Sequence, residues 1–452
     1  MMKKISLTAL RYGSLQKFAT AVVIVTALAS GMVRAQTAPA PASQVTEFEV
    51  NGLKVLVKRR PGTPTVAAGL YIRGGVSNFT AENAGIEGFM LRVAAEGSKN
   101  YPRQKLRKET SRVGTIISPG STYDYSVLAL ASTKENFDTS WAMFTDVALN
   151  PAFAPEDIQR TREGLLAALR SESDSPEGAL ESLGEKVLYA NHPYANSPNG
   201  TIETVSRFKA ADLAAYHRKM METSRLLLVV VGDVEPSMMR KRVEATFGTL
   251  PRGSYKGAPP PPLDFSKGSV DITQKAVQTD YVQGSFAAPS IRDADYYAMR
   301  AAMAILQSAV FQEVRVKRNL SYAPDADMAS NAANTAAISV SSVNPNESIK
   351  VMLDEINKLR QGATEDETIG QMAGYFLTTY YLKQETNAAQ AAELATYEMM
   401  GGGWRNSLDF LERMKKVKAS DIQAVANKYM KNLRFTVVGN PADINRSIFL
   451  PN

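Results

Sequence analysis

Apolar and polar positions alternate along the run VTEFEVNGLKVLVKR, on both sides of Asn51-Gly52. That pattern predicts a β-hairpin closed by a two-residue turn. A third strand is expected over Val66 to Ile72. The period then changes: Ile86, Phe89, Met90, Val93 and Ala94 repeat at i, i+3, i+4, i+7 and i+8, one apolar face of a helix, with Gly97 placed to cap its C-terminus. Thr122 to Ala131 reads as a strand. A helix through Trp141, Phe144 and Val147 follows, then a long helix over Glu156 to Glu172. Arg225 to Val231 is apolar almost throughout, as a strand buried on both faces must be. A charge-rich helix is expected over Met238 to Phe247.

The prolines of PRGSYKGAPPPP, Pro251 to Pro262, cannot continue a helix or a central strand and favour extended chain. This stretch divides the sequence, and beyond it the plan repeats. Phe208-Lys209-Ala210-Ala211-Asp212-Leu213 matches Val417-Lys418-Ala419-Ser420-Asp421-Ile422, each followed by a helix and an apolar strand ending in Val-Gly. Strands and helices in blocks, without a strict alternation, imply an α+β fold of two homologous domains. The expected layout is 46–250 for the first domain, 251–270 for a Pro-rich linker and 271–452 for the second.

The N-terminus changes the picture of charge and compartment. Lys3, Lys4, Arg11 and Lys17 precede or open an apolar stretch from Phe18 to Met32, and Val33-Arg34-Ala35 offers a small-x-small cleavage site. Residues 1–35 therefore read as a signal peptide, and 36–45 as a disordered lead-in. Export, with the bacterial periplasm as destination, is the expectation, with no membrane attachment after cleavage. Those 35 residues hold five basic side chains and no acidic one, so the +7 of the whole chain, less those five, leaves +2. No dense basic stripe remains, which argues against nucleic acid as a partner. The chain has no cysteine and two histidines, which excludes thiolate chemistry and leaves too few histidines for a multi-histidine metal site.

GIEGFMLRVAAEGSKNYP, with Gly85, Phe89, Gly97, Ser98 and Pro102, resembles the metal-binding helix of the insulinase/pitrilysin (inverzincin) peptidases. His192-Pro193-Tyr194 with Gly200-Thr201, and Leu227 to Asp233, resemble further segments of that family. The resemblance implies two similar units, each a mainly antiparallel sheet backed by helices, forming one half of a clamshell around extended peptide. In the family, an H-x-x-E-H motif supplies two zinc ligands and a general base. Here those positions are Gly88, Leu91 and Arg92, and the family's third ligand falls at Ala167 or Ala168. Gly and Leu offer no lone pair, and Arg is a permanent cation. No metal is expected in this chain; zinc is expected in a partner subunit.

The second domain keeps chemistry. Phe311-Gln312-Glu313-Val314-Arg315-Val316-Lys317-Arg318-Asn319-Leu320-Ser321-Tyr322 resembles the family's F-x-x-x-R-x-K-x-x-L-x-Y, whose Arg and Tyr hold substrate and stabilise the oxyanion at a neighbouring zinc site. The resemblance assigns those roles to Arg315 and Tyr322. Asn319 and Pro324 predict that the helix ends between them and a strand follows. The segment Ile305 to Val310 lacks the glycines many relatives carry there. His192 and His217 are expected to be structural. The expectation is thus a non-catalytic subunit, inactive alone, that pairs with an H-x-x-E-H-bearing chain to cut peptides. A scaffold or peptide-binding protein in a larger assembly is the alternative.

Overall fold

The structure is a computed structural model and describes residues 44–450 except Glu365. The expected signal peptide, and the lead-in up to Ser43, lie outside the described residues. Strands β1 (Val45–Val50) and β2 (Leu53–Arg59) form the hairpin, pairing Val50 with Leu53 across Asn51 and Gly52. Both turn residues have positive φ, 49° and 84°, which Asn and Gly tolerate best. The first sheet adds β3 (Thr65–Arg73), β4 (Ile116–Ser121), β5 (Tyr125–Thr133) and β6 (Leu226–Gly232), in the order β1-β2-β6-β3-β5-β4. The second contains β7 (Ser269–Gln274), β8 (Asp280–Ala287), β9 (Asp325–Met328), β10 (Thr335–Ser342) and β11 (Arg434–Gly439), in the order β7-β11-β8-β10-β9. Leaving out β1, the two orders are the same. Each sheet has a single parallel pair, β2 with β6 and β7 with β11.

The sequence repeat is a structural repeat down to its caps. Helix Ala210–Met220 begins with the Lys209 amide bonded to Asp212, and helix Ala419–Tyr429 with the Lys418 amide bonded to Asp421, both at 2.9 Å. Each then delivers its apolar strand, β6 or β11, to a position beside the parallel partner in its sheet.

One face of each sheet is covered by helices of its own half. The other face is covered by a helix from the opposite half. Helix Asn387–Met400 lies on β3 and β6, where Leu394 and Ala395, with Trp404 just beyond, bury Leu56, Tyr71 and Val229. Helix Pro176–Leu188 lies reciprocally on β8 and β11. This exchange explains why β6 and, beyond Arg434, β11 are buried on both faces. Polar ties reinforce the seam: Trp404 Nε1 donates to Glu47 at 2.8 Å, Lys54 Nζ to Glu398 at 2.6 Å, and Arg434 to the Val187 carbonyl at 3.1 Å. Among the described residues, no helix is long and apolar enough to cross a membrane.

Two local expectations are corrected. β4 is an additional strand; its sequence, Ile-Ile-Ser-Pro-Gly-Ser, carries a proline and a glycine, which an edge strand accommodates. Gly97 does not cap the helix Ile86–Ala94, whose cap is Ala95. Gly97 is instead needed for close approach, since a Cβ there would lie 2.9 Å from the Arg103 amide nitrogen.

Candidate functional site

The helix Ile86–Ala94 carries the positions where a metal site would stand. It starts at Gly85, with φ 80°, pressed against Gly200, with φ 78°; a Cβ on Gly85 would lie 2.3 Å from the Gly200 backbone. Thr204 Oγ1 donates to the Ala84 carbonyl at 2.9 Å and fixes the same junction. The Gly200-Thr201 segment is thus a clamp on the helix start.

That clamp closes the first ligand position. A Cβ at Gly88 would meet the Pro198 carbonyl oxygen at 2.9 Å and Ser121 Cβ at 3.2 Å, so no imidazole fits there without displacing backbone. Leu91 is buried in the core of the first half. Arg92 is exposed and donates to Asn199 at 3.1 Å. Ala167 and Ala168 are exposed on helix Pro155–Asp174. Among the described residues, no group of three or more His, Asp or Glu side chains could hold a metal ion. The residues present do not fit zinc.

Beside these positions is a carboxylate that sequence reasoning missed. Glu87 is fully buried, and its Oε2 accepts from Tyr216 Oη at 2.8 Å and Asn78 Nδ2 at 3.1 Å. Asn78 accepts in turn from Arg225 at 2.7 Å. Burial raises the Glu87 pKa, opposed by these donors and the Arg225 charge. Asn78 and Tyr216 are 9 and 129 residues from Glu87, so no local pattern could have signalled the network.

Both histidines serve structure. His192 Nε2 contacts the Pro261 carbonyl at 2.9 Å, tying the His-Pro-Tyr segment to the linker, and His217 Nε2 contacts the Ala148 carbonyl at 2.8 Å. A carbonyl oxygen only accepts, so each Nε2 carries a proton.

The structure brings Arg315 and Tyr322 together on the surface of the second half. Helix Tyr296–Val310 widens into a π-helical turn over Phe311–Lys317, and Asn319, with φ 52°, ends it. β9 then begins at Asp325. Arg315 donates to the Tyr322 carbonyl at 2.7 Å, and its guanidinium lies 4.0 Å from the centre of the Tyr322 ring. Lys317 and Arg318 are both engaged by Glu313, whose pKa they hold down to about 2. Arg315 is therefore the cation of this turn not neutralised by Glu313. Tyr322 is 78% exposed, and its side chain projects from the chain. A half-buried arginine stacked on an exposed phenol can donate to a carbonyl or oxyanion brought from outside.

Comparison with known proteins identifies the family. Residues 54–201 match the family model described as insulinase (peptidase family M16), and residues 207–372 match the peptidase M16 inactive domain. The two matches together span more than half of the chain. The chain belongs to the M16 peptidase family. An uncharacterized zinc protease of Rickettsia felis is 21% identical over 402 residues, covering 87% of this chain and 97% of the relative. Subunit 1 of the bovine mitochondrial cytochrome b-c1 complex is 23% identical over 269 residues, 59% of this chain and 55% of that protein.

Among solved structures, the peptidase M16 inactive domain from Pseudomonas fluorescens superimposes with a TM-score of 0.81 at 18% identity, covering 87% of this chain and 98% of that one. A protease from Helicobacter pylori gives 0.80 at 17% identity, over 88% and 99%. The clamshell-half architecture of the M16 family is thus present along the described chain. Within that architecture, Gly88 has no room for a larger side chain, and Arg315 stacks on Tyr322.

Proposed function

We propose that this M16 chain is the non-catalytic subunit of an exported, two-chain zinc peptidase. A homologous partner bearing H-x-x-E-H would hold the metal. Arg315 and Tyr322 would face the partner's site, where the guanidinium and the phenolic hydroxyl bind the peptide backbone and donate to the oxygen that gains negative charge during attack. The observation that carries this reading is Arg315 stacked on the exposed Tyr322, on a chain with Gly88, Leu91 and Arg92 at the ligand positions the resemblance implies. The basic, apolar N-terminus supports export.

The test is reconstitution with an H-x-x-E-H-bearing chain encoded nearby. The mixture should cleave peptides, and Arg315→Ala or Tyr322→Phe should each reduce kcat by about 100-fold or more, as loss of one oxyanion donor does. Full activity in both variants would remove the assigned roles. The likeness to a cytochrome b-c1 subunit favours a second reading, a scaffold without peptidase activity. It predicts a stable assembly and no activity with any metal-bearing partner.

A further inference from the structure

We propose that a cavity at the seam between the two halves is a binding site for a carboxylate, supplied by a peptide C-terminus or a free organic acid. The cavity, about 650 Å³, opens where β3 ends, between the linker and helix Asn387–Met400, and is lined by Arg73, Tyr255, Arg292, Lys54, Asp124 and Glu398. It is separate from the Arg315–Tyr322 surface and does not depend on the role proposed for that pair.

The argument is an accounting of donors and acceptors. Arg73, the last residue of β3, points to the same sheet face as buried Tyr71, two residues before it. Arg73 is half-buried, and its guanidinium donates to no acceptor among the described residues. Burial pulls its pKa down, and the Glu398 carboxylate opposes this. A guanidinium does not shed its proton in proteins, so it needs an acceptor. Arg292, an exposed residue of the lining, has no ion pair or hydrogen bond among the described residues either. The Tyr255 ring is held under the Arg225 guanidinium at 3.8 Å, which fixes its hydroxyl near Gly74 with no acceptor of its own among the described residues.

Three carboxylates line the cavity, and each already has a partner: Glu49, at its exposed edge, lies 3.8 Å from the Arg252 guanidinium. Glu398 accepts from Lys54 Nζ at 2.6 Å and from the Trp404 amide at 3.1 Å. Asp124 accepts from Tyr194 Oη at 2.5 Å and from the Ala332 amide at 2.9 Å, and burial raises its pKa. What remains without a protein partner among the described residues is the Arg73 and Arg292 guanidiniums and the Tyr255 hydroxyl. A carboxylate presents two oxygens with about four lone-pair sites and matches a fork bidentately.

The experiment is thermal shift and calorimetry on the whole purified chain, with tri-alanine, tri-alanine amide and succinate as probes. Tri-alanine or succinate should bind and raise Tm, and capping the carboxylate as the amide should weaken binding at least tenfold. Binding of tri-alanine alone assigns the site to peptide termini; binding of succinate alone assigns it to free organic acids. Arg292→Gln and Arg73→Gln should each weaken binding at least tenfold. Arg73→Gln should leave Tm without ligand unchanged or higher, since it removes a half-buried cation that has no protein partner among the described residues. No binding of either carboxylate, equal binding of the amide, or wild-type affinity in Arg292→Gln would overturn the proposal. A fall in unliganded Tm on Arg73→Gln, with ligand affinity retained, would overturn it equally.

Discussion

Replacing Gly88 by alanine measures how firmly the first ligand position is closed. In an open helix interior the change should stabilise by about 1 kcal/mol, because alanine loses less backbone entropy. Here the added methyl would lie 2.9 Å from the Pro198 carbonyl oxygen and 3.2 Å from Ser121 Cβ, with Ser121 Oγ at 3.5 Å. The nearest atom is backbone, flanked by Asn199, which Arg92 holds, and by Gly200, which is wedged against Gly85. It cannot rotate away as a side chain would. Overpacking of this kind costs about 1–3 kcal/mol. The steric term should win, leaving a net loss of about 1 kcal/mol, read as a lower urea midpoint with an unchanged slope. A midpoint raised by the equivalent of about 1 kcal/mol would refute the closure. The same geometry governs attempted repair. In Gly88→His/Leu91→Glu/Arg92→His, a carboxylate would replace a core leucine at a cost of at least about 3 kcal/mol. With Ala167 and Ala168 in place of a third ligand, no stoichiometric zinc should be retained on dialysis.

Three further outcomes follow from the site's surroundings. Tyr322→Phe should shift stability by less than about 0.5 kcal/mol in denaturant melts, because the side chain is exposed and the stacked ring is kept. A large loss would make Tyr322 a structural residue. Glu313 has a folded pKa of about 2 against an ordinary 4.5, so its contribution is present above about 4.5 and lost as pH falls towards 2. Glu313→Gln should therefore flatten the dependence of Tm on pH in that window relative to wild type. His217 has its pKa lowered by burial from 6.5, so the folded state resists its protonation and stability falls as pH drops below 6.5. His217→Gln should weaken that fall in thermal melts between about pH 7 and 5; an unaltered slope would rule it out.

Much of this architecture is legible in the amino acids alone. Asn51-Gly52 between alternating runs specifies a hairpin, because both residues accept positive φ. The Lys-Ala-Ala-Asp and Lys-Ala-Ser-Asp blocks mark a repeat that is the same cap, helix and strand in both halves. The missing ligands at Gly88, Leu91 and Arg92 are visible as letters; the carbonyl of Pro198 that fills the gap is not. Nor is the helix exchange legible. Amphipathic spacing in Asn387–Met400 says that a face is buried, not that it is buried on the other half's sheet. β4 is hidden because Pro119 and Gly120 read as breakers, while an edge strand tolerates both. Glu87, Asp124 and Arg73 give no signal, since their surroundings are brought close only by the folded chain.

The most direct test of the central claim is the metal content and peptidase activity of the purified chain by itself, compared with the same chain mixed with an H-x-x-E-H-bearing partner. The account predicts no stoichiometric zinc and no cleavage for the chain alone, with activity appearing on mixing. Stoichiometric zinc and peptide cleavage by the chain alone would contradict it.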